Sequence, residues 1–508
     1  MQFTVVIPFK PSNELKNDID KGLKLLTTRY NTEAKKLKKR YDFWKNTKAY
    51  KIASTNKQER EFWKERGFCK LGLFQTLFQM NDFKKPINGR KNIYDKTIVN
   101  SLTLKQLGYN LWSSFEKLLY GKGKNINNKR IQSLTYLKNG KRFTYLKLKI
   151  TPIENSTNND YNYYFEFLHK NKKGIQQHID IKTDYEKHAF NNCDMRMVTI
   201  KKEIIRGKEK YFFHICFEGT PYNKGRALGT ASVGIDPSLE NMYACFSNGD
   251  MEKLSLIQKI DEEFAIYNKV HIDKIDLLRQ KLDRQRRANN PDFFNENGTI
   301  NREALKQANY IWYDSNGYKK TRGTLKEIQR KIAIRRKQCH FALANYILSK
   351  ANNIIVEHNS FHGFVRRRKN IVYKSNGQAM SNRGFGRQIC HGAPSYFITI
   401  LKNKTLCWGE RASFKLLSEF NGCTKFDHTS QEFNKEIKRN DKVVTLSNGD
   451  KVDRDLHAAM NILFCENGIE QNARRRVQKS PDHFNLTAME EFYNQYKDNM
   501  KPQIKAIS

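Results

Sequence analysis

The chain has 508 residues, with 93 Lys and Arg against 52 Asp and Glu, a formal net charge of +41. Such a charge repels itself unless a polyanion offsets it. The basic residues also run the whole length and interleave with aromatics, so a nucleic acid is the expected partner, ahead of an anionic membrane surface or a ribosomal-type structural role. Nine scattered cysteines with no Cys-x-x-Cys read as reduced thiols and exclude a disulfide framework. No apolar run approaches the roughly 18 residues of a membrane span, so a cytoplasmic protein, nucleoid-associated through DNA binding, is expected.

In chain order, Met1 to Phe9 is too short for a signal peptide and reads as an edge strand closed by Pro8, within a first segment of residues 1–12. Residues 13–125 are dense in Lys, Leu, Tyr and Phe. Leu23, Leu26, Tyr30, Leu37 and Tyr41 recur at helical spacing, as do Leu71, Phe74, Leu77 and Phe78, which predicts a basic helical lobe. Phe43-Trp44-Lys45, Phe62-Trp63-Lys64 and Tyr310-Ile311-Trp312-Tyr313 either stack bases or fill cores.

Over residues 126–225 the texture turns to alternating β-branched and aromatic residues, as in Phe143 to Ile150. Met197 to Ile205 and Tyr211 to Phe217 flank Gly207-Lys208-Glu209, a hairpin signal, and this part predicts a small β-barrel to which the N-terminal strand returns. Pro221 to Thr230 is a linker. A third domain is expected over 229–465, followed by a tail over 466–508 to which the sequence assigns no function. The third domain opens with a strand at Val233–Asp236, a second at Met242–Phe246 and a third near Lys253-Leu254. A helical insertion over 258–350 follows, marked by Ile272, Ile275, Leu278 and Leu282, then by Leu325, Ile328 and Ile332. Thr324-Leu325-Lys326-Glu327 reads as the capping-box start of its second helix. Arg284, Arg286, Arg287, Arg335 and Arg336 lie mostly off those stripes, on a solvated face or against a nucleic-acid backbone.

Three segments of this domain each deliver one acid. Val233-Gly234-Ile235-Asp236 and Asn353-Ile354-Ile355-Val356-Glu357 are apolar strands ending in a carboxylate, and Asp453-Arg454-Asp455 precedes the helical stretch Leu456 to Ile462. Three carboxylates brought together from separate elements suit hard cations such as Mg²⁺. A pair of such ions activates water and stabilises the leaving oxygen of a phosphodiester. Catalytic and metal-binding candidates are therefore Asp236, Glu357 and Asp455, with Asp453 ranked second for the third position.

At these segments the chain resembles the RNA-guided RuvC-type nucleases of the transposon-encoded TnpB and compact type V CRISPR effector family. Gly234-Ile235-Asp236 stands for the first motif, Glu357 for the second, and Asp455-Leu456-His457-Ala458-Ala459-Met460-Asn461-Ile462 for the third, with His457 where the family carries Asn. The acid order Asp, Glu, Asp suits RuvC better than integrase-type arrangements. The resemblance implies an α+β multidomain fold: an RNase H-like (RuvC) nuclease domain preceded by a β-barrel wedge and a helical recognition lobe. It implies a guide RNA and target DNA as partners, a monomer by preference, and cleavage by two Mg²⁺ ions next to a short duplex motif read by the protein.

Many relatives carry a four-cysteine zinc site before the third motif. Here Thr429-Ser430-Gln431 remains, but Phe433, Glu436, Thr445 and Asn448 stand where the thiolates would be, and Cys407 and Cys423 cannot replace them. A zinc-less region over 423–452 is expected, with a hairpin from Lys442 to Leu446 turning at Ser447-Asn448-Gly449-Asp450, in a zinc-finger-degenerate branch of the family. Arg366, Arg367, Arg368 and Lys369, then Arg383, Arg387 and Lys402, are candidate phosphate contacts beyond Glu357, and His358 is a candidate partner of that acid. The rival readings are a guide-RNA-dependent DNA-binding repressor and an RNA-independent nuclease of transposition.

Overall fold

A computed structural model describes residues 1–46, 51, 99, 101–119, 126–139, 142–143, 146–152, 161–169, 172–223, 225–257, 270–296, 300–308, 311–359, 361, 386–418, 421–437, 441–466 and 479–501. The chain divides into two compact units, Met1–Lys224 and Gly225–Ser508.

In the first unit, β1 (Gln2–Phe9) leads into α1 (Asn13–Trp44), whose N-cap Ser12 accepts a hydrogen bond from the Leu15 amide at 3.2 Å. The stripe Leu15, Ile19, Leu23, Leu26, Tyr30 and Leu37 is buried, as its helical spacing requires. A second helix, α2 (Ser101–Leu119), packs on α1 and on the strand β2 (Ser133–Asn139). The paired strands β7 (Asp194–Ile205) and β8 (Lys208–Glu218) turn through Arg206 and Gly207, both at positive φ (53° and 76°), the backbone that a two-residue hairpin turn demands. The N-terminal strand does return: β1 pairs antiparallel with β8 from Gln2↔Glu218 to Phe9↔Tyr211.

Among the described residues the expected closed barrel does not form. With β3 (Arg142–Phe143), one sheet has the order β1-β8-β7-β2-β3. A separate sheet holds β4 (Leu146–Pro152), β5 (Tyr161–His169) and β6 (Lys172–Ile179). Within the run Phe143 to Ile150, Phe143 and residues 146–150 therefore lie in different sheets. Aromatic side chains fill the shared core, with Phe9 stacked on Phe213 at 3.8 Å and Phe165 edge-on to Phe213 at 5.0 Å.

The second unit is built on β9 (Ala231–Pro237), β10 (Asn241–Phe246), β11 (Met251–Ser255), β12 (Ala351–His358) and β13 (Ser413–Ser418). Their order is β11-β10-β9-β12-β13; the first three form an antiparallel meander, and β12 runs parallel to both β9 and β13. Both faces are covered, so the strands read as continuous apolar runs. Val233, Ile235, Ile354 and Val356 face α5 (Asn316–Lys350) and α6 (Pro394–Leu406). Tyr243, Cys245 and Ile355 face α7 (Arg454–Leu463) and α8 (Leu486–Tyr496), so residues beyond 480 belong to this core.

Between β11 and α5 lies α4 (Val270–Asn289), which pairs with α5 through Ile275 and Ile332. The helix α5 begins well before Thr324. Ser315 is its N-cap and accepts from the Tyr318 amide, while Thr324 lies inside the helix with its hydroxyl donated to the Lys320 carbonyl at 3.2 Å. Among the described residues no helix is long and apolar enough to cross a membrane.

Candidate active site

Period-two alternation decides where the acids point. Gly234 and Asp236 share one face of β9, Ile355 and Glu357 one face of β12, and Ile355 packs with the α7 side. The pairing Val356↔Ile235 sets Asp236 and Glu357 at adjoining ends of parallel neighbours. Asp455 enters the same region from the first turn of α7, which packs on β9, β10 and β12. All three are buried, at 8%, 5% and 6% exposure for Asp236, Glu357 and Asp455.

Gly234 makes this approach feasible. A Cβ there would lie 2.2 Å from the Ala459 carbonyl oxygen and 2.5 Å from the Leu463 nitrogen, so only glycine lets α7 lie against β9. Asn461 anchors the other side of the helix, donating its amide to the carbonyls of Cys423 and Phe426 at 2.8 Å each. Both residues belong to the sequence motifs, and packing is their observed role.

Electrostatics show the strain of grouping acids. Burial, then the Asp455 charge, push the Asp236 carboxyl up to about 7 against the opposing pull of Arg454. The phenol of Tyr243, paired with Asp236 across the ladder, is raised by burial and by the neighbouring charge of Asp455, to which it is also hydrogen bonded. Arg454 donates Nε to Asp455 Oδ1 at 2.9 Å, and its Nη2 reaches the same oxygen. Asp453 has a different duty: it is the N-cap of α7, with Oδ1 accepting from the amides of Asp455 (2.9 Å) and Leu456 (3.1 Å).

The donor set is made of carboxylate oxygens, which suits Mg²⁺ chemically. As they stand, no three His, Cys, Asp or Glu side chains among the described residues converge closely enough to hold an ion. The guanidinium on Asp455 would have to yield its oxygen to a metal.

Behind the acids, Cys423 is hydrogen bonded to Cys465, and that bond, with burial, raises its thiol well above the usual value; Glu357 and Asp236 add to the shift. The region before Asp453 forms a hairpin of β14 (Val443–Thr445) and β15 (Lys451–Asp453), as the sequence predicts, with Gly449 at φ 88°. Asp427 takes up the bonding there: Oδ1 accepts from the Thr429 amide and hydroxyl, Oδ2 from the Ser447 amide and hydroxyl, at 2.7 to 3.0 Å. His457 meets His428 at 3.0 Å between ring nitrogens; burial holds their imidazoles down to about 3 and about 4. Asp427, His428 and Cys465 carry no motif of their own and meet Ser447, His457 and Cys423 only through contacts distant in sequence.

Among the basic candidates, Arg366, Arg367, Arg368, Lys369 and Arg383 lie outside the described residues. Arg387 falls in the helix Gly386–Gly392 with its side chain undescribed, and Lys402 is exposed on α6. Leu71, Phe74, Leu77, Phe78 and the Phe62-Trp63-Lys64 aromatics are also outside them. His358 keeps a buried Nδ1 without a protein partner. Arg286 stacks on Trp312 at 4.7 Å and on Tyr318 at 5.4 Å, and Arg336 donates to the carbonyls of Cys390 and His391, so these arginines serve packing and capping.

No protein-family profile matches the chain, and no curated protein matches it. Among solved structures, the chain is similar to a protein in a cryo-EM structure of a Cas12f1-sgRNA-target DNA complex, at 12% identity and a TM-score of 0.43, covering 91% of this chain and 98% of that one. A CRISPR-Cas12f ternary complex is similar at 12% identity and a TM-score of 0.27, covering 89% and 82%. Likenesses this distant assign neither fold nor function.

Proposed function

We propose that this chain is an RNA-guided DNA endonuclease of the RuvC type. One observation carries the reading: Asp236 and Glu357 stand at adjoining ends of two parallel strands, and Asp455 opens a helix packed on both strands, with all three carboxylates buried. The order β11-β10-β9-β12-β13, an antiparallel meander continued by parallel strands, supports an RNase H-like domain. The formal charge of +41 supports a guide RNA and target DNA as partners.

Asp236, Glu357 and Asp455 would hold Mg²⁺, which when bound supplies an activated water and stabilises the leaving oxygen. The chain's own residues do the positioning. Gly234 sets the distance between α7 and β9, Asp453 fixes the first turn of α7, and Asn461 ties that helix to the turn at Cys423. Tyr243 hydrogen bonds Asp455 from the adjoining strand. Arg454 neutralises Asp455 and, on yielding it, is placed to meet a phosphate.

The test is to purify the protein with its native locus transcript, sequence the co-purifying RNA, and measure programmed cleavage in Mg²⁺ beside Asp236→Ala, Glu357→Ala and Asp455→Ala. A discrete RNA and a rate loss of about 10³-fold or more in each variant are expected. An alanine variant that cuts like the parent overturns the reading. The Arg454–Asp455 pair favours one second reading, a guide-dependent repressor, in which parent and variants bind target DNA alike and none cuts.

A further inference from the structure

We propose that a cleft of the first unit, between α1 and residues 128–132, binds the sugar-phosphate backbone of one or two nucleotides of a single strand. This rests on the nucleic-acid part of the proposed function and adds a place for the strand. The cleft has a volume of about 720 Å³, a size that encloses a ligand of a few rings. Leu23, Ile131 and Ile204 supply its apolar lining.

Its shape is fixed by bonds across it. Thr27 Oγ1 accepts from the Ile131 amide at 3.0 Å and Asn31 Oδ1 from the Lys129 amide at 2.9 Å, so residues 129–131 are held against α1. The acids are already spent: Asp20 and Glu209 both bind Lys202 Nζ at 2.6 Å, and Glu209 also takes Lys16 at 3.1 Å. Lys24, Lys129 and Arg130 are exposed on its lining and have no carboxylate partner among the described residues. Lys129 is steadied 5.5 Å over the Tyr30 ring.

The lining thus offers three uncommitted cations beside neutral donors and acceptors, Thr28, Asn31, Asn128 and Gln132 among them. Among the described residues no aromatic side chain lines it, which favours contacts to phosphate and sugar, independent of sequence, over base stacking. The spent acids matter as much as the free bases. A carboxylate left free would repel the phosphates that the cations attract.

The test uses the full chain and labelled oligouridylate RNA or oligothymidylate DNA of about 12 nucleotides. Binding is followed by anisotropy, and lysine acetylation is mapped by mass spectrometry with and without the oligonucleotide. Lys24 and Lys129 should lose about 5-fold or more of their reactivity on saturation. In the triple variant Lys24→Ala, Lys129→Ala, Arg130→Ala, the slope of log affinity against log salt should flatten by about 2, three contacts at about 0.7 each. Stronger protection by RNA assigns the cleft to the guide, and stronger protection by DNA to the target strand; either result supports it. If the parent binds but both lysines stay reactive, or the triple variant keeps the parent's slope, the cleft is refuted while the proposed function stands. If the parent binds neither oligonucleotide, the proposed function falls and the cleft with it.

Discussion

Substituting Gly234 by Ala tests whether close contact between α7 and β9 sets the geometry of the acids. The new Cβ would sit 2.2 Å from the Ala459 carbonyl oxygen, 2.5 Å from the Leu463 nitrogen and 2.8 Å from Leu463 Cα. All three atoms are backbone of one helix, so no side chain can swing aside. Ordinary contact begins near 3.4 Å, and α7 must therefore back away by about 1.2 Å, the difference between 3.4 and 2.2. Overpacking of this kind costs about 1 to 3 kcal/mol. In a unit of this size that lowers Tm by roughly 2 to 12 °C. Moving α7 carries Asp455 away from Asp236, and a displacement of about 1 Å at a reacting centre costs on the order of 10²-fold in rate. Gly323→Ala is the matched control: it lies exposed inside α5 with nothing within 4 Å of an added Cβ, and should stabilise by about 0.5 to 1 kcal/mol. Thermal unfolding and Mg²⁺-dependent cleavage are measured together. If Gly234→Ala unfolds with the parent and cuts at the parent's rate, the glycine does not set the helix-to-strand distance.

Two further outcomes follow from buried polar groups. Asp427→Ala removes a carboxylate whose bonds from Thr429 and Ser447 overcome the upward push of burial and hold it below its usual range, so the variant should lose about 2 to 4 kcal/mol in denaturant unfolding; an unchanged midpoint refutes a structural role. His340 is completely buried and held down to about 4, by burial first and by Arg336 second, so between pH 6.5 and about 4 the unfolded chain takes up a proton that the folded one refuses. Stability should therefore fall with pH across that window by up to about 3 kcal/mol, and His340→Leu should remove that part of the slope in urea titrations at stepped pH.

What was legible in the sequence was local. The hairpin at Ser447 to Asp450 follows from its Asn-Gly turn, and the ends of β9 and β12 from apolar runs that close on Asp236 and Glu357. The α1 stripe is visible because its burial repeats at helical spacing. Other features depend on partners distant in sequence. Alternation in the first unit fixes which residues face inward but not whether the sheet closes; that depends on β4 pairing with β5 and not with β3. The Thr324 motif matches a capping box, yet Tyr318 and Thr321 are buried and extend the helix back to Ser315, so tertiary packing overrides the local signal. Gly234 and Asn461 look like catalytic-motif residues in the sequence. Only the helix lying on the strand shows that they set its distance and its anchor.

At the third acid, Asp453 and Asp455 divide the labour between them. A helix needs an acceptor at its N-cap, and Asp453 supplies it, leaving Asp455 to face inward from the first turn. Exchanging the two roles would leave the amides of Asp455 and Leu456 without that acceptor and turn the buried carboxylate outward. Arg454 pairs with Asp455, and the Asp236 carboxyl is still pushed up to about 7, by burial first and by the Asp455 charge second, against the pull of that guanidinium. Such a grouping opposes folding on its own account. Packing alone would favour an apolar residue at each of these buried positions, and under the proposed function a bound cation would offset the cost of the carboxylates.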